Sequence, residues 1–285
     1  KVGSAARGIV KDSLRVHRDV TRELGIRLGV HYSGVWDTRA IELHPDWARI
    51  DEHGKPDPSI TCRHGGYLRE LMIPQLLEII DEYDVDGFWV DGDNWASLPC
   101  WCDRCAAQFT QRTGIARPPR SPQEENWHAW LAYHRELLVE FVGAYVKAVH
   151  ERKPGCLVVS SYMYGARQPD PVMTVPLDYL SGDLDFRWGA QHAMLEGRVY
   201  DARQVGWDLM AWMHTKPGEM RDPRPWTLKP LVHLCQELSE VIALGGSMLV
   251  YENPQRTGWL TGWHHDVIGD LADSCRARKA LCHRT

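Results

Sequence analysis

The sequence predicts an α/β fold of the (β/α) barrel type, because short apolar runs alternate with longer helical patterns along the chain. Such an order implies a parallel sheet covered by helices. Polar residues follow the apolar runs at His31, Asp91, Asp183, His214 and Glu252. This pattern favours a barrel, since functional side chains of barrels lie at the carboxyl ends of the strands. A doubly wound sheet is the alternative, and it would often bring a Gly-rich phosphate loop that the sequence lacks.

Apolar period and the content of β-branched and aromatic residues predict six strands, at Ile26–Tyr32, Gly87–Val90, Leu157–Met163, Leu177–Leu180, Asp208–Met213 and Ser247–Tyr251. Apolar residues at helical spacing predict helices at Leu68–Ile80, Trp127–Val149 and Leu231–Leu244.

The number of strands predicts an incomplete barrel. A complete barrel has eight strands, and the chain opens on a helix-like stretch, Ala5–Leu24. We therefore expect a single domain spanning residues 1–285 from which about two N-terminal βα units are missing. The alternative is that two weak strands escape the pattern.

Bulk properties exclude several classes of partner. A net charge of −5 gives no basic surface for nucleic acid. No apolar run approaches the roughly 18 residues that cross a bilayer, so no membrane partner is expected. The first 20 residues lack a signal-peptide core, which slightly favours the cytoplasm and leaves the compartment unassigned. The open edge of an incomplete barrel leaves a homo-oligomer as an open alternative.

The aromatic composition has two interpretations. The chain contains 13 Trp and only 4 Phe. Tryptophan has a flat apolar face and one N–H donor, a combination that suits the faces of a sugar ring. The alternative, and the commoner role of any single Trp, is to fill space in the core.

Three stretches resemble the alpha-L-fucosidase family and its hypothetical-glycosidase relatives. Leu24–Ser33 resembles the segment of strand 3 that leads to an active-site loop, and Gln236–Pro254 is similar to the last helix and strand. Tyr83–Trp95, with the sequence YDVDGFWVDGDNW, resembles the strand-4 segment that carries the nucleophilic aspartate of the family. The substrate-binding histidines of the family's first two strands have no counterpart here, in keeping with the missing units.

The resemblance implies a retaining glycosidase with Asp91 as its nucleophile. Retaining hydrolysis needs two carboxyl groups about 5–5.5 Å apart, one to attack the anomeric carbon and one to protonate the leaving oxygen. Asp183 and Glu252, each after a predicted strand, are the candidates for the acid/base. The alternative for Asp91 is that it only caps a loop, as Asp often does in Asp-Gly.

Other residues near the predicted strand ends are candidates for binding the sugar. They are His31, Tyr32, Trp36, Asp37, Asp93, Trp95, Arg187 and Trp188.

A group of cysteines predicts a structural zinc site. Cys100, Cys102 and Cys105 have C-x-C-x2-C spacing, and Cys62 can supply a fourth thiolate. The arrangement resembles the zinc site of a beta-galactosidase barrel family. A four-thiolate site is closed to water and would stiffen the loop after Asp91. A disulfide or free thiols are the alternatives.

Three functions compete. The leading one is a retaining glycosidase of the alpha-L-fucosidase type, with a carbohydrate as its substrate and no cofactor for catalysis. The second is a sugar-binding remnant, or a fragment of a longer glycosidase, without turnover. The third is a zinc-dependent hydrolase, which needs an open coordination position. The Cys-rich cluster argues against the third.

Overall fold

The computed structural model describes residues 2–4, 8–161, 174–255 and 257–282, which pack into two compact units. The first unit contains Lys1–Ser160 and Val172–Asp178, and the second contains Ser161–Pro171 and Tyr179–Thr285. The prediction of a single domain stays a prediction. In the described part of the chain, no helix combines the length and apolar character needed to cross a membrane.

The first unit alternates strands and helices. Its elements are α1 (Ser13–Glu23), β1 (Gly29–Ser33), α2 (Thr38–Leu43), β2 (Ala48–Ile50), β3 (Pro56–Thr61), α3 (Ile73–Tyr83), β4 (Gly87–Asp91), α4 (Asp103–Thr113), α5 (Trp127–Arg152) and β5 (Leu157–Ser160). A π-helical turn at Tyr67–Met72 leads into α3, and a short 3-10 helix at Asp93–Ser97 follows β4.

The sheet of the first unit is parallel, in the order β1-β4-β5. Residue pairs such as Ser33↔Asp91 and Val90↔Ser160 fix its register. Helix α5 buries one face of apolar side chains, at Trp130, Leu138, Phe141, Val142, Tyr145 and Val149. This burial explains why an apolar stripe at helical period forms a 26-residue helix.

The second unit continues the alternation. Its elements are α6 (Ala190–Asp201), β6 (Asp208–Trp212), β7 (His214–Thr215), β8 (Thr227–Leu228), α7 (Leu231–Ala243), β9 (Ser247–Tyr251) and α8 (Gly262–Arg278). Strands β6 and β9 are parallel neighbours with Trp212 opposite Tyr251. Isolated parallel bridges join Ser161 to Ser181 and Asp183 to Met210.

The α/β alternation is therefore confirmed, with corrections to several ranges. Strand Ser247–Tyr251 has the predicted bounds, and the long helix begins at Trp127 as predicted. The strand predicted at Leu177–Leu180 is wrong as drawn, because pairing there consists of single bridges from Leu180 onward. The helix expected from Ala5 begins at Ser13. Residues 5–7 lie outside the described residues, and so do Tyr162 and Met163 of the strand predicted at Leu157–Met163.

Candidate functional site

Asp91 is the last residue of β4, at the carboxyl end of a strand buried within the first unit. Phe88 and Val90 anchor the strand in the core and are 2% and 0% exposed. The Asp91 side chain is 47% exposed, so its carboxylate can reach a ligand. A rigid strand that ends in an accessible carboxylate is the arrangement predicted for a nucleophile.

Three neighbours shape the surroundings of Asp91. His31, from the adjacent strand, stacks on Trp89 and places Nε2 3.4 Å from Oδ2 of Asp91. The Gly34 amide donates to the Asp91 carbonyl at 2.6 Å. Gly92 has a φ of 72°, a left-handed conformation that glycine adopts without strain. The chain can therefore leave the strand sharply and keep the Asp91 side chain clear.

Asp93 is completely buried beside this site. Tyr145 donates to Oδ2 at 2.6 Å, and the Ser160 hydroxyl donates to Oδ1. Burial raises the pKa of Asp93 to about 6, and the nearby charge of Asp91 adds to the effect, although the two hydrogen bonds oppose it. Both carboxylate oxygens are thus engaged by protein donors, and direct sugar binding by Asp93 stays a prediction.

Two tryptophans near Asp91 are exposed and stack on each other. Trp36 and Trp95 are 50% and 43% exposed, with ring centroids 6.0 Å apart. Trp95 lies close to Gly92, because a Cβ added to Gly92 would approach Trp95 Cδ1 to 3.7 Å. An exposed indole pair beside a carboxylate provides an apolar platform with hydrogen-bonding edges.

Two other predicted pocket residues of the first unit have structural partners. The Tyr32 hydroxyl donates to Gln75 at 2.6 Å, and burial raises the pKa of Tyr32 well above its usual value. Asp37 accepts a hydrogen bond from the Ala40 amide and so caps the first turn of α2. Their roles in substrate binding stay predictions.

In the second unit, Asp183 is 7% exposed and lies beside a second buried carboxyl group. Trp212 Nε1 donates to Asp183 at 3.0 Å, and Ser161 Oγ donates to it at 3.4 Å. Asp208 accepts a hydrogen bond from Ser181. Burial raises the pKa of Asp208 to about 7, and the charge of Asp183 adds to the shift.

Glu252 directly follows β9 and is held by two histidines. His264 Nδ1 lies 2.8 Å from Oε1, and His214 Nδ1 lies 3.8 Å from Oε2. Burial lowers the pKa of His214, although the Glu252 carboxylate acts in the opposite direction.

Arg187 and Trp188 differ in their surroundings. The Arg187 guanidinium binds the carboxylate of Asp185, with Nη2 2.7 Å from Oδ2. Trp188 is 49% exposed. The Arg187 side chain is 55% exposed despite this pairing, and the sugar-binding roles of both residues stay predictions.

The four predicted metal ligands of the first unit converge. Cys62 Sγ lies 3.6 Å from Sγ of Cys102 and of Cys105, and Cys100 completes a group whose sulfur atoms lie within 4.8 Å of one another. Three of the four thiols are buried in an apolar cluster with Phe109, Trp130 and other side chains. Hydrogen bonds from Cys100 and the other two thiols lower the pKa of Cys102.

This geometry fits a tetrahedral zinc ion. A zinc–sulfur distance of about 2.3 Å places tetrahedral sulfur ligands about 3.8 Å apart, close to the 3.6 Å separations seen here. A disulfide needs about 2.05 Å between sulfur atoms, and every cysteine of the chain is a free thiol. The thiols therefore lie within metal-binding distance and form no disulfide.

Several functional neighbours are missed by the sequence pattern. Tyr145 and Ser160, the partners of Asp93, and Trp212, the partner of Asp183, lie far from them along the chain. His214 and His264, the partners of Glu252, are also distant. Of these five, His214 carried a signal because it follows a predicted strand, and His264 carried a weaker one because it belongs to the run His264-His265-Asp266.

No protein-family model and no curated protein matches the chain. Solved structures do match its fold. The beta-galactosidase of the psychrophilic Marinomonas ef1 has a TM-score of 0.72 at 12% identity, covering 97% of this chain and 54% of that one. The polyextremophilic beta-galactosidase of the Antarctic haloarchaeon Halorubrum lacusprofundi has a TM-score of 0.71 at 14% identity, covering 95% and 51%.

An alpha-L-fucosidase from Vibrio sp. strain EJY3 matches with a TM-score of 0.52 at 14% identity, covering 95% of this chain and 37% of that one. The likeness in fold is thus greater for the two beta-galactosidases than for this fucosidase. The chain spans about half the length of the beta-galactosidases. At these identities the matches show a likeness of α/β fold alone, and the matched proteins are glycosidases.

Proposed function

We propose that the chain is an incomplete (β/α) barrel and acts as a retaining glycoside hydrolase that removes a terminal sugar. The observation that carries the proposal is the position of Asp91, an accessible carboxylate at the carboxyl end of a buried parallel strand. The resemblance of Tyr83–Trp95 to a nucleophile-bearing segment supports the same assignment.

In the proposed reaction, a carboxylate oxygen of Asp91 attacks the anomeric carbon. A covalent glycosyl ester forms while the bond to the leaving oxygen breaks, and an acid delivers a proton to that oxygen. Water then attacks the same carbon, and Asp91 leaves as a carboxylate. His31 Nε2, 3.4 Å from Oδ2, can hold the carboxylate in position.

A second carboxyl group must act as acid and then as base. Asp183 and Glu252 remain our candidates, since each follows a strand or bridge of the second unit. Asp183 is 7% exposed and accepts hydrogen bonds from Trp212 and Ser161.

The substrate is a carbohydrate in this proposal, and the exposed Trp36–Trp95 pair supports it. The matched structures suggest two sugars to test first, an α-L-fucoside and a β-D-galactoside. The same pair of indoles would also serve a sugar-binding protein without turnover, which is the second candidate function.

We further propose that the four-thiol cluster of the first unit, Cys62, Cys100, Cys102 and Cys105, binds one structural zinc ion. With four protein ligands the ion has no open position for water, so it takes no part in catalysis. The cluster includes the start of α4, which follows Asp91 in the chain, and zinc there would stiffen the connecting loop.

The test of the proposed function compares wild type with Asp91→Gly and with Glu42→Gln, an exposed carboxylate on α2. On a panel of aryl glycosides, Asp91→Gly is expected to lose on the order of 10⁴-fold in kcat, because a covalent catalyst is removed. Glu42→Gln is expected to retain full activity.

Azide provides the specific check on the nucleophile. In Asp91→Gly, azide can enter the vacated space and form a glycosyl azide whose anomeric configuration is inverted relative to the substrate. Unimpaired turnover by the variant would assign the nucleophile elsewhere. Sugar binding detected by tryptophan fluorescence, without turnover of any glycoside by wild type, would favour the sugar-binding function.

A further inference from the structure

The surroundings of Glu252 form a second group of metal-ligating side chains, unrelated to the cysteines. His214, Glu252 and His264 each offer a ligand atom, and these three atoms lie within 4.8 Å of one another. The side chains are 14%, 8% and 9% exposed, respectively. Two imidazoles and one carboxylate are a common ligand set for zinc and related transition metals.

Regular structure holds these three side chains in place. Trp212 of β6 is paired with Tyr251 of β9, so the residues that follow these two strands emerge at the same edge of the sheet. His214 and Glu252 are among those residues, and His264 is in the first turn of α8. The rings of the two histidines lie 5.4 Å apart, at a steep angle.

The polar atoms of this group are incompletely satisfied. Glu252 Oε2 and His214 Nδ1 are buried, and neither makes a hydrogen bond to any of the described residues. An unsatisfied buried polar atom costs about 1–3 kcal/mol, and more when it is charged. The distance between these atoms is 3.8 Å, too long for a hydrogen bond. Two ligands with bonds of about 2.1 Å to one tetrahedral ion are about 3.4 Å apart, so a small adjustment would let both bind the same ion.

The charge of Glu252 also lacks a strong counterpart. Across the ranges that the structure describes, its ion pairs are with His214 and His264 alone, and no lysine or arginine reaches it. A buried carboxylate that stays ionised is normally paired with a cation or bound to a metal. The buried Glu237 of the same unit shows the first solution, with Lys229 Nζ 2.8 Å away.

We propose that His214, Glu252 and His264 bind one divalent transition-metal ion of the zinc class. Three protein ligands leave one coordination position open for water or for a ligand hydroxyl. On loading, the 2.8 Å hydrogen bond between His264 and Glu252 gives way to bonds from both residues to the ion. The metal site is independent of the proposed glycosidase function.

One consequence does rest on the proposed function. A carboxylate that binds a metal through its buried oxygen cannot also carry the proton for a leaving group. If the chain is a retaining glycosidase, the site therefore assigns the acid/base role to Asp183 rather than to Glu252.

Cobalt(II) is the probe that separates the two metal sites. Thiolate-bound cobalt absorbs strongly in the near ultraviolet through charge transfer from sulfur, whereas cobalt bound by histidine and carboxylate shows only weak visible bands. The full chain is stripped of metal and titrated with cobalt while both signals and the bound metal are recorded. Wild type is expected to bind two equivalents, one with each signature.

Matched variants show which residues bind the second equivalent of cobalt. His214→Ala, His264→Ala and Glu252→Gln are each expected to weaken it by more than about 100-fold, since loss of a second-shell partner alone costs 10- to 100-fold. His265→Ala is the control, because His265 is the exposed neighbour of His264. The sulfur charge-transfer signal should stay the same in all four.

Two results would overturn the proposal. One is wild-type protein that binds cobalt only with the thiolate signature. The other is a second equivalent that all three ligand variants retain with unchanged affinity. Glu252→Gln preserves the shape of the side chain, so it keeps the test valid if a histidine variant fails to fold. Metal binding is read without any substrate, so failure here and failure of the glycosidase proposal remain distinguishable.

Discussion

The two units bury polar groups in opposite ways. In the second unit, Lys229 and Glu237 form an ion pair with both side chains fully buried, and the Gly189 amide donates to the same carboxylate at 2.6 Å. In the first unit, four thiols converge among aromatic side chains, and their polar contacts are mainly with one another. The charges and hydrogen bonds of the ion pair are satisfied within the protein. Thiols are weak donors and acceptors, so the four thiols do not satisfy one another in this way.

This difference separates structural from ligand-binding clusters. A buried polar group that is satisfied within the chain needs no further explanation, because its hydrogen bonds are made. A cluster whose ligand atoms converge without being satisfied indicates that something is bound there. By this criterion the Lys229–Glu237 pair is structural, and the four-thiol cluster has the features expected of the metal site that we propose.

The largest effect is expected from Cys62→Ser. If the thiols bind zinc, wild type should contain one zinc ion in this cluster that is lost after chelation, and the variant should lack it. The free energy of unfolding should fall by several kcal/mol, because the binding energy of structural zinc, on the order of 10 kcal/mol in small domains, is folding energy. Zinc analysis and urea unfolding measure the two effects.

Cys282→Ser is the control for Cys62→Ser. Cys282 lies outside the cluster, and its thiol donates to the Arg278 carbonyl at 3.1 Å. Its replacement should leave both the zinc content and the stability unchanged. A fully reduced wild type without zinc and with undiminished stability would contradict the assignment of the thiol cluster.

The next largest effect is expected from Lys229→Met, which leaves Glu237 buried without its cation. Removing one partner of a buried ion pair costs about 3–5 kcal/mol of unfolding free energy. The double variant Lys229→Met/Glu237→Gln should recover most of this loss, since the amide oxygen of Gln can still accept from Gly189. Urea unfolding with metal analysis should show no change in zinc content. A single variant as stable as wild type would show that the pair is not a structural anchor.

A smaller, pH-dependent effect is expected at Asp93. The folded-state pKa of Asp93, about 6, lies above the ordinary value of 3.8. Its contribution to the free energy of unfolding is therefore fully present below about pH 4 and is lost as the pH rises toward 6 and above. The loss amounts to about 3 kcal/mol. The free energy of unfolding of Asp93→Asn should not fall in this way as the pH rises. The control Asp19→Asn, at an exposed position, should show the same fall as wild type. Identical pH profiles for wild type and Asp93→Asn would refute the assignment.

The thiol cluster is easier to recognise in the sequence than the group formed by His214, Glu252 and His264. Cys100, Cys102 and Cys105 are close together in the chain, and this spacing is typical of cysteines that bind zinc. His214, Glu252 and His264 are separated by 38 and 12 residues, and isolated histidines occur throughout the chain. Only the parallel register of β6 and β9 and the start of α8 bring them together.

The sequence by itself determined the α/β alternation, the end of β4 at Asp91 and the thiol group, because each depends on neighbours in the chain. Apolar period and local spacing are enough for these features. The tertiary structure decided that Asp93 is buried against Tyr145 and Ser160, and that Glu252 lies between two histidines. These contacts depend on how distant segments pack, and burial and long-range pairing leave no periodic trace in the sequence.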